Sequence, residues 1–197
     1  MRSAWEFLLV ALVVTLTPGP ATALVLRVAA RDGRRAALGT IVGNEIGVLT
    51  WALLSAVGVS SLIVASELAY DVLRFGGAAV LVVLGVRSLF HRTSGVPAVP
   101  RWTGWKTGLL SSAANPKLAV FFIALFPQFL SPHSAVLPAA LAMAGVIVLL
   151  DFVWFGLLAW TVDRAGRVLR PRIRRVMERT TGGVMLALGL KVAAQAR

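Results

Sequence analysis

"TLTPGPATAL", residues 15–24, interrupts an uncharged apolar run that extends from Phe7 to Leu26. Proline in a helix interior costs ~3 kcal/mol relative to alanine, and glycine ~1 kcal/mol. Pro18, Gly19 and Pro20 in succession therefore stop a helix that the flanking residues favour. Three explanations compete: a signal-peptide cleavage region, a kink without a role, or a membrane helix deliberately broken at mid-depth. The rest of the chain decides between them.

Of 197 residues, 58% are hydrophobic and only 14% charged, and the mean hydropathy is +0.83. A soluble domain carries about 25% charged residues. The composition therefore predicts an all-α integral membrane protein forming a single transmembrane domain over residues 1–197. Cysteine is absent, which removes thiol redox chemistry and thiolate metal sites. His91 and His133 fall at predicted helix ends with no ligand partners at metal spacing, so neither metal nor cofactor is expected. A net charge of +12 raises the question of nucleic acid, and the placement of the charges answers it.

A crossing needs ~20 predominantly apolar residues. Six stretches qualify: Phe7–Leu26, Ala36–Ser66 with Glu45 inside it, Leu68–Phe90, Thr107–Leu130 with Lys117, Ser134–Val162 with Asp151, and Thr180–Ala196. The third and sixth are short and span if Arg74, Arg87 and Lys191 snorkel to the interfaces. With six spans, fifteen of the twenty Lys and Arg fall on one side. They are Arg27 to Arg35, Arg87 to Lys106 and Arg164 to Arg179. The positive-inside rule makes those loops cytoplasmic and puts both termini outside. The run from Arg164 to Arg179 is expected to lie on anionic lipid rather than nucleic acid. Ala21-Thr22-Ala23 resembles a signal-peptidase site, but cleavage there would place Arg27 to Arg35 outside and leave a thin basic n-region. The segment is expected to stay as a mature helix.

The chain also repeats. "FGGAAVLVVLGVR" (75–87) and "TGGVMLALGLK" (181–191) share Gly-Gly, an apolar run and Leu-Gly-x-Arg/Lys. Trp5, Leu8, Leu9 and Pro18 find loose counterparts in Trp105, Leu109, Leu110 and Pro116. Glu45 and Asp151 are the lone acids of the second and fifth spans. Two three-helix halves, 1–95 and 102–197, follow, and an odd helix count inverts the second copy in the membrane, as in many secondary transporters. "LTPGP" and "AANPKL" (113–118) then break the first and fourth helices at corresponding positions. Prolines remove backbone donors and free carbonyls one turn earlier. At membrane depth such groups are tolerated only against protein or a water-filled cavity.

Glu45, Lys117 and Asp151 each cost roughly 2.5–3.5 kcal/mol at the centre of a lone helix on insertion scales. Such residues are usually functional, the alternative being a structural ion pair of Lys117 with an acid. The expected substrate site comprises Thr17, Pro18, Gly19, Pro20, Asn115, Pro116 and Lys117, with Lys117 and free amides available to a carboxylate. Asp151 and Glu45 are the expected proton-coupling acids. Gly39, Gly43 and Gly47 form a small-residue seam, and Glu45, ~200° round the helix from Gly43, points away from it.

These stretches resemble the LysE-type amino-acid exporters, particularly the homoserine/threonine-resistance branch. The matches are "LTPGPATALVL", "GRRAALGTIVGNEIG" (33–47), "GWKTGLLSSAANPKLAVFFIALFPQFL" (104–130) and "DFVW" (151–154). The resemblance implies a six-helix bacterial inner-membrane protein that exports amino acids or close derivatives by proton antiport; a homodimer stays open. The family often carries an acid directly after the second glycine of the G-x-x-x-G pair, where this chain has Val48, with Glu45 three residues earlier. Two other classes are weighed. A membrane enzyme or redox carrier lacks any Ser/His, paired-acid or cysteine constellation, and a metal-ion exporter lacks His and Met within the spans.

Overall fold

The computed structural model describes residues 4–65, 83, 86, 104–130 and 135–165. All of its regular structure is helical among these residues. The sixth predicted span and nearly all of the third lie outside them, as do His91, His133 and all but the first residue of the Arg164–Arg179 run.

The first apolar run is two helices. Helix α1, Ala4–Leu16, ends just before the Pro-Gly-Pro break, and a second helical stretch starts at Pro20. The helical run Pro20–Ala65 is not continuous, because Gly33 has φ 83° and ψ 172°, a backbone region open to glycine. It is described here as α2 (20–32) and α3 (34–65). The chain reverses at that glycine. Val28 and Ala29 share an apolar cluster with Ala37 and Ile41, whereas Phe7 and Val10 share one with Val48, Ala52 and Ala56. Helix α3 thus runs back along α2 and α1.

The second half repeats the order of elements. Helix α4, Trp105–Ala113, stops at Ala114 and Asn115, and α5, Pro116–Val120, resumes at an angle of 53°. Asn115 caps α5, its Oδ1 accepting from the Lys117 N–H at 3.0 Å, and Pro116 occupies the first position, where no donor is needed. The chain continues as a π turn, Phe121–Leu125, and a 3-10 turn, Phe126–Phe129. Loosened carbonyls there find side-chain donors: Ser55 Oγ reaches Phe122 O and Gln128 Nε2 reaches Ala124 O, both at 2.6 Å. Helix α6 is Val136–Ala165.

Pro20–Gly58 and Val136–Arg164 are long and apolar enough to cross a membrane, and the bent pair of α4 with the Pro116–Phe129 stretch makes a third crossing if counted as one. Within the first, the part beyond Gly33 still supplies about 25 residues, enough by itself. Many large apolar side chains, among them Leu54, Leu149 and Val153, are exposed, as a lipid-facing surface requires.

The glycine seam is where α3 and α4 meet, with sequence numbers rising together, so these helices are parallel. Gly39 faces Gly104, Gly43 faces the Trp105 backbone, and Gly47 faces Ser112; from α4, Gly108 faces the backbone of Thr40 and Asn44. Helix α6 runs alongside α1 and α2 in their direction, since Ala140 to Ile147 join the α1 cluster and Phe155 and Ala159 the α2 cluster. Helix α4 therefore runs opposite to α1, and α6 opposite to α3.

Six of the seven described Lys and Arg (Arg27, Arg31, Arg34, Arg35, Lys106 and Arg164) gather toward the end of the molecule where Gly33 turns. Gly33 lies beside Asp163 there, and Arg31 pairs with Asp32 at 2.9 Å. The opposite end is filled by Phe7, Phe121, Phe122, Phe126 and Phe129, with ring centroids 4.9–6.3 Å apart.

Candidate functional site

Two apolar clusters divide the described helices, one toward each end, and the residues between them are polar. On α1 and α2 the gap covers Thr15 to Pro20, on α3 it holds Asn44 and Glu45, and on α6 it holds Asp151. Asn115 and Lys117 enter at the same level, just ahead of Leu118 of the outer cluster. Thr15, Thr17, Asn44, Glu45, Ser112, Asn115 and Asp151 are all buried. A polar layer thus crosses the bundle at mid-depth.

The two breaks face each other within it. Val14 O would accept from residue 18 in an unbroken helix, but Pro18 has no N–H to give. Lys117 Nζ supplies the donor instead, at 3.0 Å from Val14 O and 3.0 Å from Thr17 O. Gly19 lies against the same side chain, since a Cβ there would sit 3.6 Å from Lys117 Cε and Nζ. The ammonium thus caps the C-terminus of α1, where the helix dipole is negative. Around it the backbone is tied locally: Thr17 Oγ1 donates to Val13 O, 2.5 Å, and the Gly19 N–H donates to Thr22 Oγ1, 3.2 Å. In the first turn of α2 Pro20 has no N–H and Ala23 donates to Gly19 O at 3.0 Å. The N–H groups of Ala21 and Thr22 are therefore those left without an intrahelical acceptor by geometry.

All seven residues expected at the substrate site belong to these two breaks, and the structure brings the breaks together. The acids sit in the same layer. Asp151 lies within electrostatic reach of both Glu45 and Lys117. Thr15 is beside Asp151, yet its Oγ1 makes no hydrogen bond of good geometry. Lys117 bonds carbonyls rather than pairing with an acid. Glu45 Oε1 accepts from Asn44 Nδ2 at 3.0 Å, and Glu45 Oε2, Asn44 Oδ1 and Asn115 Nδ2 are buried without a hydrogen-bond partner among the described residues. Buried polar groups are normally satisfied, so these atoms mark where a polar guest or water would be held.

Asn44 and Ser112 are members of the layer that the sequence analysis passes over. Each is a polar residue inside an apolar helix, Asn44 next to the charged Glu45 and Ser112 one turn before a proline break, which is the signal available for both. Trp51 Nε1 fixes the end of α4 by donating to Ser112 O at 3.3 Å.

The LysE type translocator family model matches residues 12–196. The chain belongs to the LysE family. A homoserine/homoserine lactone efflux protein of Salmonella typhimurium is 27% identical over 203 residues, covering 98% of each chain. A leucine efflux protein of Salmonella choleraesuis is 30% identical over 145 residues, 67% of this chain and 66% of the relative. An uncharacterized membrane protein of Bacillus subtilis is 25% identical over 97% of this chain and 98% of the relative. No solved structure matches the chain. As a LysE family member this is a multi-pass membrane transporter, not an enzyme.

Proposed function

We propose that this LysE family protein exports amino acids or close derivatives from the cytoplasm, driven by proton antiport. The observation that carries the proposal is the pair of opposed helix breaks in a buried polar layer, joined through Lys117. An amino acid is a small zwitterion, and the layer offers both signs. First-turn N–H groups of α2 and Asn115 Nδ2 suit a carboxylate, whereas the carbonyls ending α1 and the acids suit an ammonium.

The relatives' named cargoes support this class. Homoserine, homoserine lactone and leucine share a primary ammonium group, while the lactone has no free carboxylate. Asp151 and Glu45, buried beside one another, are the groups placed to carry protons. The end bearing Arg27 to Arg35, Lys106 and Arg164 is cytoplasmic by the positive-inside rule, with both termini outside. Six spans as two inverted halves, 1–95 and 102–197, in a bacterial inner membrane complete the proposal, and the opposite directions of equivalent helices support it.

Counterflow in proteoliposomes tests it. Vesicles loaded with unlabelled homoserine, homoserine lactone or leucine should take up the labelled compound, and an imposed pH gradient should drive accumulation. Absence of amino-acid counterflow, with divalent metal accumulation in its place, would replace this function with metal export.

A further inference from the structure

The C-terminus of α1 is a cradle for a primary ammonium. Pro18 and Pro20 leave Val14 O and Leu16 O without intrahelical donors, and the helix dipole adds negative charge at the same place. Thr17 turns its carbonyl to the Lys117 ammonium, while its hydroxyl donates to Val13 O. Nothing in this cradle is specific to lysine. It accepts an –NH3+ group at the end of an unbranched stem, and Lys117 delivers one from about a hundred positions away in the chain.

We propose that the cradle formed by Val14 O and Thr17 O is the binding site for the cargo's ammonium group, and that Lys117 is its built-in competitor. The inference rests on the exporter function proposed above for the source of the ammonium. A cargo with a primary amine enters by displacing Nζ, which moves toward Asp151, already within its electrostatic reach. Two chemically equivalent groups exchange one place, so the freed carbonyls are never left without a donor in a layer that hydrocarbon surrounds. A quaternary ammonium has no N–H to offer them, and an acylated amine has no charge. Both should be excluded.

A self-occupied site binds its ligand more weakly by the fraction of time it is open. Lys117→Met keeps the stem and removes the competitor. The test uses the full chain in lipid nanodiscs with isopentylammonium, an amine without a carboxylate, and tetramethylammonium as its control. The dissociation constant for isopentylammonium should fall by about tenfold or more in Lys117→Met, with tetramethylammonium binding to neither protein. An unchanged or weaker affinity in a variant that melts like the wild type overturns the proposal.

A second measurement needs no variant to fold. The chain has three lysines, Lys106, Lys117 and Lys191, so the 15Nζ signal of Lys117 can be resolved in the wild type. That signal should shift on titration with isopentylammonium and not with tetramethylammonium; a signal indifferent to both overturns the proposal. Leucine counterflow by the same purified protein reconstituted in proteoliposomes separates the two claims. Counterflow with unchanged amine affinity removes the cradle and keeps the exporter. Tightened amine binding without amino-acid counterflow does the reverse.

Discussion

Substituting Gly43 by alanine should destabilise the protein far more than the same change at Gly145, although both glycines lie within long helices. A methyl at Gly43 would overlap the Trp105 carbonyl oxygen and lie 2.5 Å from its carbonyl carbon and 2.8 Å from its Cα. These are backbone atoms of the facing helix, so no side-chain rotation relieves them. Bringing the oxygen, the nearest of the three, out to ordinary contact requires α4 to retreat by roughly 1.5 Å or more. The retreat opens the packing of Gly39 on Gly104 and of Gly47 on Ser112, and stretches the 3.3 Å bond from Trp51 Nε1 to Ser112 O out of range. Overpacking of this kind costs roughly 1–3 kcal/mol, and the hydrogen bond adds about 1 kcal/mol. The sum, roughly 2–4 kcal/mol, is a large share of a typical domain's 5–15 kcal/mol. At Gly145 and Gly156 an added Cβ meets nothing within 4 Å among the described residues, and alanine there should be neutral or stabilise by up to ~1 kcal/mol. Thermal unfolding of the purified variants in one detergent reads the difference. Equal melting temperatures for Gly43→Ala and Gly145→Ala would refute the parallel α3–α4 contact.

Pro18→Ala with Gly19→Ala restores a donor for Val14 O and fits sterically, the added methyl lying 3.6 Å from the Lys117 stem; α1 and α2 should gain several kcal/mol of intrinsic helix stability while transport is abolished, and wild-type transport rates would contradict a role for the break. Asp151→Asn or Glu45→Gln should preserve substrate exchange yet lose accumulation driven by a pH gradient, and full accumulation in both would leave these acids structural. Single cysteines at positions 32, 96 and 170 should be labelled only from the cytoplasmic side and one at position 133 only from outside; a mixed result among the first three would remove the six-span topology.

Local chemistry makes some features of this protein legible from sequence. Pro18, Pro20 and Pro116 lack an N–H in any environment, so the breaks in α1–α2 and α4–α5 appear where the sequence puts them. Span positions likewise follow from apolar length: the expected Ala36–Ser66 and Ser134–Val162 are close to the observed 34–65 and 136–165. Clustering of Arg27 to Arg35 at one end follows from a hairpin short enough to keep them together. The small-residue spacing of Gly39, Gly43 and Gly47 announces a close-packed face without naming its partner.

What the tertiary structure alone decides is which distant group answers each local need. A carbonyl freed by Pro18 must find a donor, but nothing near it in sequence says that the donor is Lys117. An acid at position 45 must be accommodated; its neighbour Asn44 bonds one oxygen locally, but only packing brings Asp151 within reach. Gly43 and Gly145 look alike as letters in apolar helices, yet one touches a backbone and the other meets no described residue. Backbone breaks are properties of one residue and its neighbours in the chain. Partners are properties of helix crossings, fixed by the summed packing of the two apolar clusters on either side of the polar layer.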